Sequence, residues 1–182
     1  MNLIGEKGIE SLRTSEIAER VGFSEAALYR HFSNKLEVIK ATIRAAGEKL
    51  IETLTDALDG VETEDELKKL RIILETHLNF VRENPGISRL LFSDEVHFNR
   101  EDLREELLGI IDRYRAFVAG LIERGIEKEQ VRKDLDVDTA TTFYLGLIQS
   151  QILFWSLSGG QRWLENEVGK LWTEYERVVK KE

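Results

Sequence analysis

The sequence contains no cysteine and only one proline, Pro85, among its 182 residues. Without cysteine the chain can form neither a disulfide nor a catalytic thiolate. No apolar run approaches the roughly 20 residues that cross a bilayer, and the N-terminus lacks the basic and then apolar pattern of a signal peptide. We therefore expect a cytoplasmic protein that does not enter a membrane.

Motifs of catalysis are also missing. The sequence has no glycine-rich phosphate loop and no serine elbow, and its three histidines, His31, His77 and His97, show no ligand spacing on one helix. We predict no metal site, no cofactor and no enzymatic activity. An enzyme built on a helical bundle is an alternative for which no set of residues can be named.

The net charge of −8 is unevenly distributed. Residues 1–46 carry seven Lys or Arg and six Glu, a net +1, which leaves −9 for the remainder. An acidic body with a near-neutral N-terminal segment turns that segment toward a polyanion. The charge pattern therefore permits binding of nucleic acid by the N-terminal segment.

Apolar residues recur at helical spacing along the whole chain, and no segment has the alternation of a strand. The pattern predicts an all-α fold of about nine helices. Asn34 with Glu37, Thr63 with Glu66, Asn99 and Asp138 are predicted to cap helices. The longer predicted helices are Asn34 to about Leu58, Thr63 to about Glu83, Ile87 to about Asp94, Asn99 to Arg124, Asp138 to about Ser158, and Gln161 to about Lys180.

Two short helices with a tight turn are predicted between residues 13 and 35. Ile17, Ala18 and Val21 should line one face of the first helix, and Gly22 should take a positive φ at the turn. Ser24 can cap the second helix, whose Leu28 and Phe32 should point back at the first helix. This arrangement is a helix-turn-helix.

The pattern Ile17-Ala18-x-x-x-Gly22-Phe23-Ser24, followed by Leu28-Tyr29-x-His31-Phe32-x-x-Lys35, resembles the DNA-binding domain of the TetR family of repressors. The resemblance implies a three-helix DNA-binding head over residues 1–46 and a helical ligand-binding and dimerisation body over residues 47–182. It implies a double-stranded DNA operator as partner. Phosphates would be held by Thr14, Ser24, Tyr29, Arg30, His31 and Lys35, and base edges would be faced by Ser15, Glu25, Ala26 and Ala27.

The last two predicted helices are too apolar for a monomer of this size. The first is apolar on nearly every side, and the second has apolar residues at coiled-coil spacing. Pairing each helix with its copy would give the four-helix bundle through which the family dimerises. The alternative is that both helices pack within one subunit. The residues predicted at the homodimer interface are Gly146, Leu164, Val168, Leu171, Tyr175 and Val178.

A small apolar or amphipathic effector is expected to bind among the body helices and to move the DNA head through the long helix from Asn34 to Leu58. The alternative for His77 is a histidine of the hydrophobic core that makes one hydrogen bond and binds no effector. The predicted effector-binding residues are His77, Arg89, Phe92, Tyr114, Gln149 and Trp155.

A second hypothesis keeps the DNA binding but makes the body a docking surface for a protein. The runs Arg82–Arg89 and Ser24–Phe32 also resemble the nucleoid-occlusion branch of the family, which restrains cell division while bound to DNA.

Overall fold

The computed structural model describes residues 1–161 and 165–181, without the side chains of residues 98, 99 and 165–167. Its regular elements are helical, apart from one antiparallel bridge between Val131 and Lys180, so the all-α prediction is confirmed. None of the described helices has the length and apolarity to span a membrane. The helices are α1 Asn2–Lys7, α2 Thr14–Arg20, α3 Glu25–His31, α4 Lys35–Asp59, α5 Glu66–Glu83, α6 Gly86–Leu91, a π-helical turn Glu95–Asn99, α7 Glu101–Glu127, α8 Val137–Leu157 and α9 Glu165–Val179.

The chain forms two compact units. Unit 1 comprises Met1–Lys49 and Val81–Ile110, and unit 2 comprises Leu50–Phe80 and Ile111–Glu182. Helices α4, α5 and α7 each begin in one unit and end in the other. The sequence division after residue 46 did not anticipate that residues 81–110 join the N-terminal segment.

The helix-turn-helix of unit 1 is built from α2 and α3. Ala18 and Leu28 are buried together with Val38 of α4, and Ile17 and Phe32 pack against them. Gly22 has a φ of 75°, a left-handed conformation that favours glycine, so the predicted turn is present.

Val21 does not join the buried face of α2, contrary to the prediction. Its side chain is 54% exposed, because Val21 follows the last residue of α2 and the chain has already left the helix there. The apolar face of α2 is consequently one residue shorter than its sequence pattern indicated.

The capping of α4 agrees with the sequence, since the Glu37 amide donates to Asn34 Oδ1 over 3.0 Å. The cap predicted for α8 is wrong. Asp136 caps this helix by accepting from the Thr139 amide at 2.8 Å, while the carboxylate of Asp138 pairs with Arg115. Either aspartate satisfies the capping pattern, and the packing of α7 and α8 selects between them.

The capping box predicted from Thr63 and Glu66 is also wrong. Helix α5 begins at Glu66 with Asp65 as its cap, since the Lys68 amide donates to Asp65 Oδ1 at 3.0 Å. The Glu66 carboxylate does not reach back to the cap but lies at 0% exposure among Lys69 of α5, Arg124 of α7 and Lys128, which follows α7.

Three cations meet that carboxylate in unit 2. Lys69 lies 2.8 Å, Lys128 2.9 Å and Arg124 3.3 Å from the oxygens of Glu66. Burial by itself would raise the pKa of Glu66, but hydrogen bonds from Lys69 and Lys128 outweigh it and lower the pKa below the ordinary value. These bonds fasten the start of α5 to the end of α7.

Helices α1 and α6 of unit 1 approach each other closely at two glycines, Gly5 and Gly86. A Cβ on Gly86 would lie 2.1 Å from the Met1 carbonyl oxygen, and a Cβ on Gly5 would lie 3.0 Å from the Gly86 nitrogen. Helix α6 ends at Leu91, before the predicted Asp94, and the π-helical turn after it has no counterpart in the prediction. The side chain of Asn99, the predicted cap of α7, lies outside the described residues.

Aromatic side chains of α8 and α9 form much of the core of unit 2. The hydroxyl of Tyr144 donates to the carbonyl of Leu70 over 2.7 Å, and that of Tyr175 donates to the carbonyl of Ala140 over 3.2 Å. Burial raises the pKa of both phenols. Since each bond joins two helices, the hydroxyls fix how α5, α8 and α9 pack.

Candidate DNA-binding surface and effector site

The outward face of α3 is polar and accessible. Ser24 caps the helix, its Oγ accepting from the Ala27 amide at 3.1 Å. Ala27 is half-buried because it lies beside Leu28, which points into the helix-turn-helix core. The predicted contact residues that are exposed are Ser15, Ser24, Glu25, Ala26, Tyr29, Arg30 and His31.

A hydrogen-bond network joins the start of α2 to the first two turns of α3. The Thr14 hydroxyl donates to the Glu25 carboxylate, and the Tyr29 hydroxyl donates to Thr14 Oγ1 over 3.2 Å. Lys35, at the start of α4, donates to the carbonyl of Glu10 over 3.1 Å. The structure thus brings the predicted DNA-contacting residues onto adjoining parts of unit 1.

Most other cations near this surface already have acidic partners. Lys7 lies 2.7 Å from Glu16, and Arg20 lies 3.1 Å from Glu6. The last turn of α3 carries Arg30 and His31. Arg30 and Lys35 add positive charge at the end of α3 and the start of α4, and the exposed Arg13 adds it before α2.

Two of the predicted effector-binding residues meet inside unit 2. The rings of His77 and Tyr114 are edge to face with centroids 4.9 Å apart, and both side chains are buried. His77 Nδ1 and the Tyr114 hydroxyl have no hydrogen-bond partner, although both are shielded from solvent. Tyr144 is a polar neighbour of Tyr114 whose own proton goes to the carbonyl of Leu70, so it can act toward Tyr114 only as an acceptor.

Both groups are uncharged at neutral pH. Burial lowers the pKa of His77 to about 4 and raises the pKa of Tyr114 above its ordinary value. A buried polar atom without a partner loses the hydrogen bond that water supplied in the unfolded chain. The pair therefore has unused hydrogen-bonding capacity.

The other four predicted effector residues are distributed over both units. Arg89 donates to the carbonyl of Glu6 over 3.2 Å, and Phe92 is exposed; both belong to unit 1. In unit 2, Gln149 is exposed on α8 and Trp155 is buried. The assignment of all six residues to one effector site stays a prediction. The neighbour of Tyr114 that sequence reasoning missed is Tyr144, since the apolar run of α8 has no period that singles it out.

Unit 1 also contains a groove of about 390 Å³ between α1, α2 and α4 that the sequence did not indicate. Its walls are mainly apolar, and none of the predicted effector residues lines it. Elsewhere in the described part of the chain, no three His, Asp or Glu side chains gather closely enough to hold a metal ion.

One side of α8 leaves an apolar stripe uncovered within the protomer. Gly146 is exposed on this side, in line with the predicted interface. The apolar residues of the stripe recur at helical spacing, and they are Phe143, Leu153, Phe154 and Leu157. The opposite side of the helix carries Tyr144, Ile148, Ile152 and Trp155 into the core.

The row of apolar residues predicted on α9, from Leu164 to Val178, is only partly exposed to a second subunit. Val178 is exposed, and Val168 and Leu171 are half-buried. Tyr175 is fully buried inside its own protomer, so its assignment to the interface is corrected. Leu164, the first residue of the seam, lies outside the described residues.

These observations define a helical protein with an accessible recognition helix in an N-terminal helix-turn-helix. Family comparisons agree: residues 1–42 match the model of bacterial regulatory proteins of the tetR family, and residues 63–169 match the tetracyclin repressor-like C-terminal domain. The chain belongs to the TetR family of DNA-binding transcriptional regulators.

The chain is similar to individual proteins of two kinds. The nucleoid occlusion factor SlmA of Vibrio vulnificus is 34% identical over 107 residues, 59% of this chain and 54% of that protein. SlmA of Vibrio cholerae is 27% identical over 82% of this chain and 76% of that protein. The transcriptional regulator FadR of Bacillus subtilis, solved in complex with stearoyl-CoA, has a TM-score of 0.85 at 18% identity, covering 98% of this chain and 94% of that chain. At that identity the likeness to FadR shows the fold alone.

Proposed function

We propose that this DNA-binding regulator is a non-enzymatic, cytoplasmic, homodimeric repressor that a small amphipathic effector releases from its operator. The accessible face of α3 carries the proposal, because the Ser24 cap and the buried Leu28 present its polar residues together on one surface. Small residues at the start of α3 would allow its N-terminus to approach base edges in the major groove.

In this proposal Ser15, Glu25, Ala26 and Ala27 face the bases. Phosphates are held by Thr14, Ser24, Tyr29, Arg30, His31 and Lys35. Thr14 and Tyr29 each have a hydroxyl that can turn from their mutual network to a phosphate oxygen. Two such heads in a dimer would enter successive major grooves about 34–36 Å apart, or a multiple of that distance.

Replacing Lys35 with alanine should weaken binding to every DNA sequence by about the same factor. Each lost phosphate contact removes about one counterion from the binding equilibrium, so the slope of log affinity against log salt should become shallower by about one. Fluorescence anisotropy titrations at several salt concentrations measure both quantities. The control is Lys133→Ala, an exposed lysine of unit 2. A change in sequence preference with an unchanged salt slope would contradict the phosphate assignment.

The effector site is proposed at the His77 and Tyr114 pair. Because both groups are neutral and buried, they suit an uncharged polar group, such as a hydroxyl or ester, on an otherwise apolar ligand. The stearoyl-CoA in the complex of Bacillus subtilis FadR supports a long apolar chain as one part of such a ligand.

A Tyr114→Phe variant should need about tenfold more ligand for release from the operator, since one hydrogen bond of about 1–1.5 kcal/mol is lost. Its DNA affinity without ligand should not change. The probes are long-chain alcohols, the corresponding carboxylates and stearoyl-CoA, added to the operator complex in an anisotropy assay. Tyr175→Phe is the matched control, because that hydroxyl already bonds the carbonyl of Ala140. Equal ligand sensitivity of wild type and Tyr114→Phe would reject the site.

The similarity to SlmA supports a second proposal, in which the body docks a protein while the head is on DNA. The two proposals differ in where binding sites lie in the source genome. A repressor's sites should lie beside a few promoters, whereas sites of an occlusion factor should be numerous and dispersed. Selection of bound sequences from random DNA, followed by a search of that genome, distinguishes the two.

A further inference from the structure

Glu25 is an acidic residue on a surface that must approach a polyanion. It is the first residue of α3 and is exposed. A carboxylate beside phosphates is repelled by any DNA sequence, so it opposes binding unless a donor compensates it. The contacts of Glu25 indicate which donor could do so.

The carboxylate is held in place by a donor that can be exchanged. The Thr14 hydroxyl has a single proton, which it donates to Glu25, and its oxygen accepts the proton of Tyr29. The oxygen of Ser24, the preceding residue, accepts from the Ala27 amide. The donor observed on the Glu25 carboxylate in the free protein is the Thr14 hydroxyl.

Base edges in the major groove offer a replacement for that hydroxyl. The exocyclic amino groups of cytosine and adenine are the donors available there, and carboxylate side chains characteristically accept from cytosine N4. When a cytosine amino group donates to Glu25, Thr14 can turn its proton to a phosphate. Without such an amino group, turning Thr14 away leaves the carboxylate with no donor.

We propose that Glu25 determines sequence specificity by exchanging the Thr14 hydroxyl for the amino group of a cytosine in each operator half-site. This inference rests on the proposed DNA-contacting surface. Glu25 would then raise the affinity for the operator relative to all other DNA, because it lowers the affinity for sequences that lack the cytosine.

The test is selection of bound sequences from random DNA with wild type, Glu25→Gln and Glu25→Ala. Wild type should prefer cytosine at one position of each half-site by roughly ten- to a hundredfold. Glu25→Ala should lose that preference, and Glu25→Gln should shift it toward adenine, whose N6 and N7 suit an amide. Both variants should bind operator-free DNA several-fold more tightly than wild type.

The control is Glu48→Gln, which makes the same charge change at an exposed position of α4. It should retain the preference of wild type at every position. The inference is overturned if Glu25→Gln and Glu25→Ala select the same sequences as wild type, or if they lose affinity for all sequences alike. A wild-type protein that selects no sequence at all would instead reject the proposed function, and this inference with it.

Discussion

A Phe154→Glu variant should sediment as a monomer and bind its operator at least about 100-fold more weakly than wild type. Phe154 is 54% exposed within the protomer, so the substitution should leave the protomer folded. In an isologous dimer that buries the α8 stripe, the same change would place two unpaired charges at the interface and cost several kcal/mol. Operator affinity falls because one head then contacts one half-site.

Analytical ultracentrifugation and anisotropy titration measure the two effects. Leu108→Glu is the matched control, since Leu108 is 49% exposed on α7 and lies off the α8 stripe. It should remain dimeric with wild-type affinity. A Phe154→Glu variant that is still dimeric, or a wild type that is monomeric at micromolar concentration, rules out this interface.

Glu66→Gln should lower the free energy of unfolding by about 2–3 kcal/mol at pH 7. The substitution keeps the shape of the side chain but removes the charge that accepts from Lys69, Lys128 and Arg124. Hydrogen bonds to a charged group contribute about 1.5–3 kcal/mol each, and the half-exposed cations recover part of the loss by hydration. Urea unfolding followed by circular dichroism measures the difference.

The difference in the free energy of unfolding between wild type and Glu66→Gln should depend on pH. Because the pKa of Glu66 is lower in the folded protein than its ordinary value of 4.5, its ionised form stabilises the fold above that value. The stabilisation is lost as pH falls through the folded pKa. The difference between wild type and Glu66→Gln should therefore be constant above about pH 5.5 and shrink below pH 4.5. Glu62→Gln is the control, an exposed glutamate that precedes α5. A difference that does not vary with pH would show that the charge of Glu66 is not responsible.

The sequence was sufficient for features that depend on residues close together in the chain. The spacing of apolar positions predicted the helices, and Gly22, the Ser24 cap and the Asn34 cap marked the turn, the start of α3 and the start of α4. These features follow from backbone geometry and hydrogen bonds over three or four residues, which the order of residue types specifies. The exposed face of α3, on which the residues proposed to contact DNA lie, could be predicted for the same reason.

Features that depend on distant segments could not be predicted in this way. Glu66 fits a capping box as well as it fits a buried ion cluster, and only the approach of Arg124 in α7 and Lys128 just after it decides between them. Tyr175 has the coiled-coil spacing of an interface residue, yet the carbonyl of Ala140 on α8 draws it into its own core. The sequence placed His77 on an inward face, but its contact with Tyr114 depends on how α5 and α7 pack. A helical period indicates which residues share a face of a helix. Which other helix covers that face depends on the packing of the whole chain, so only the tertiary structure could decide the surroundings of these residues.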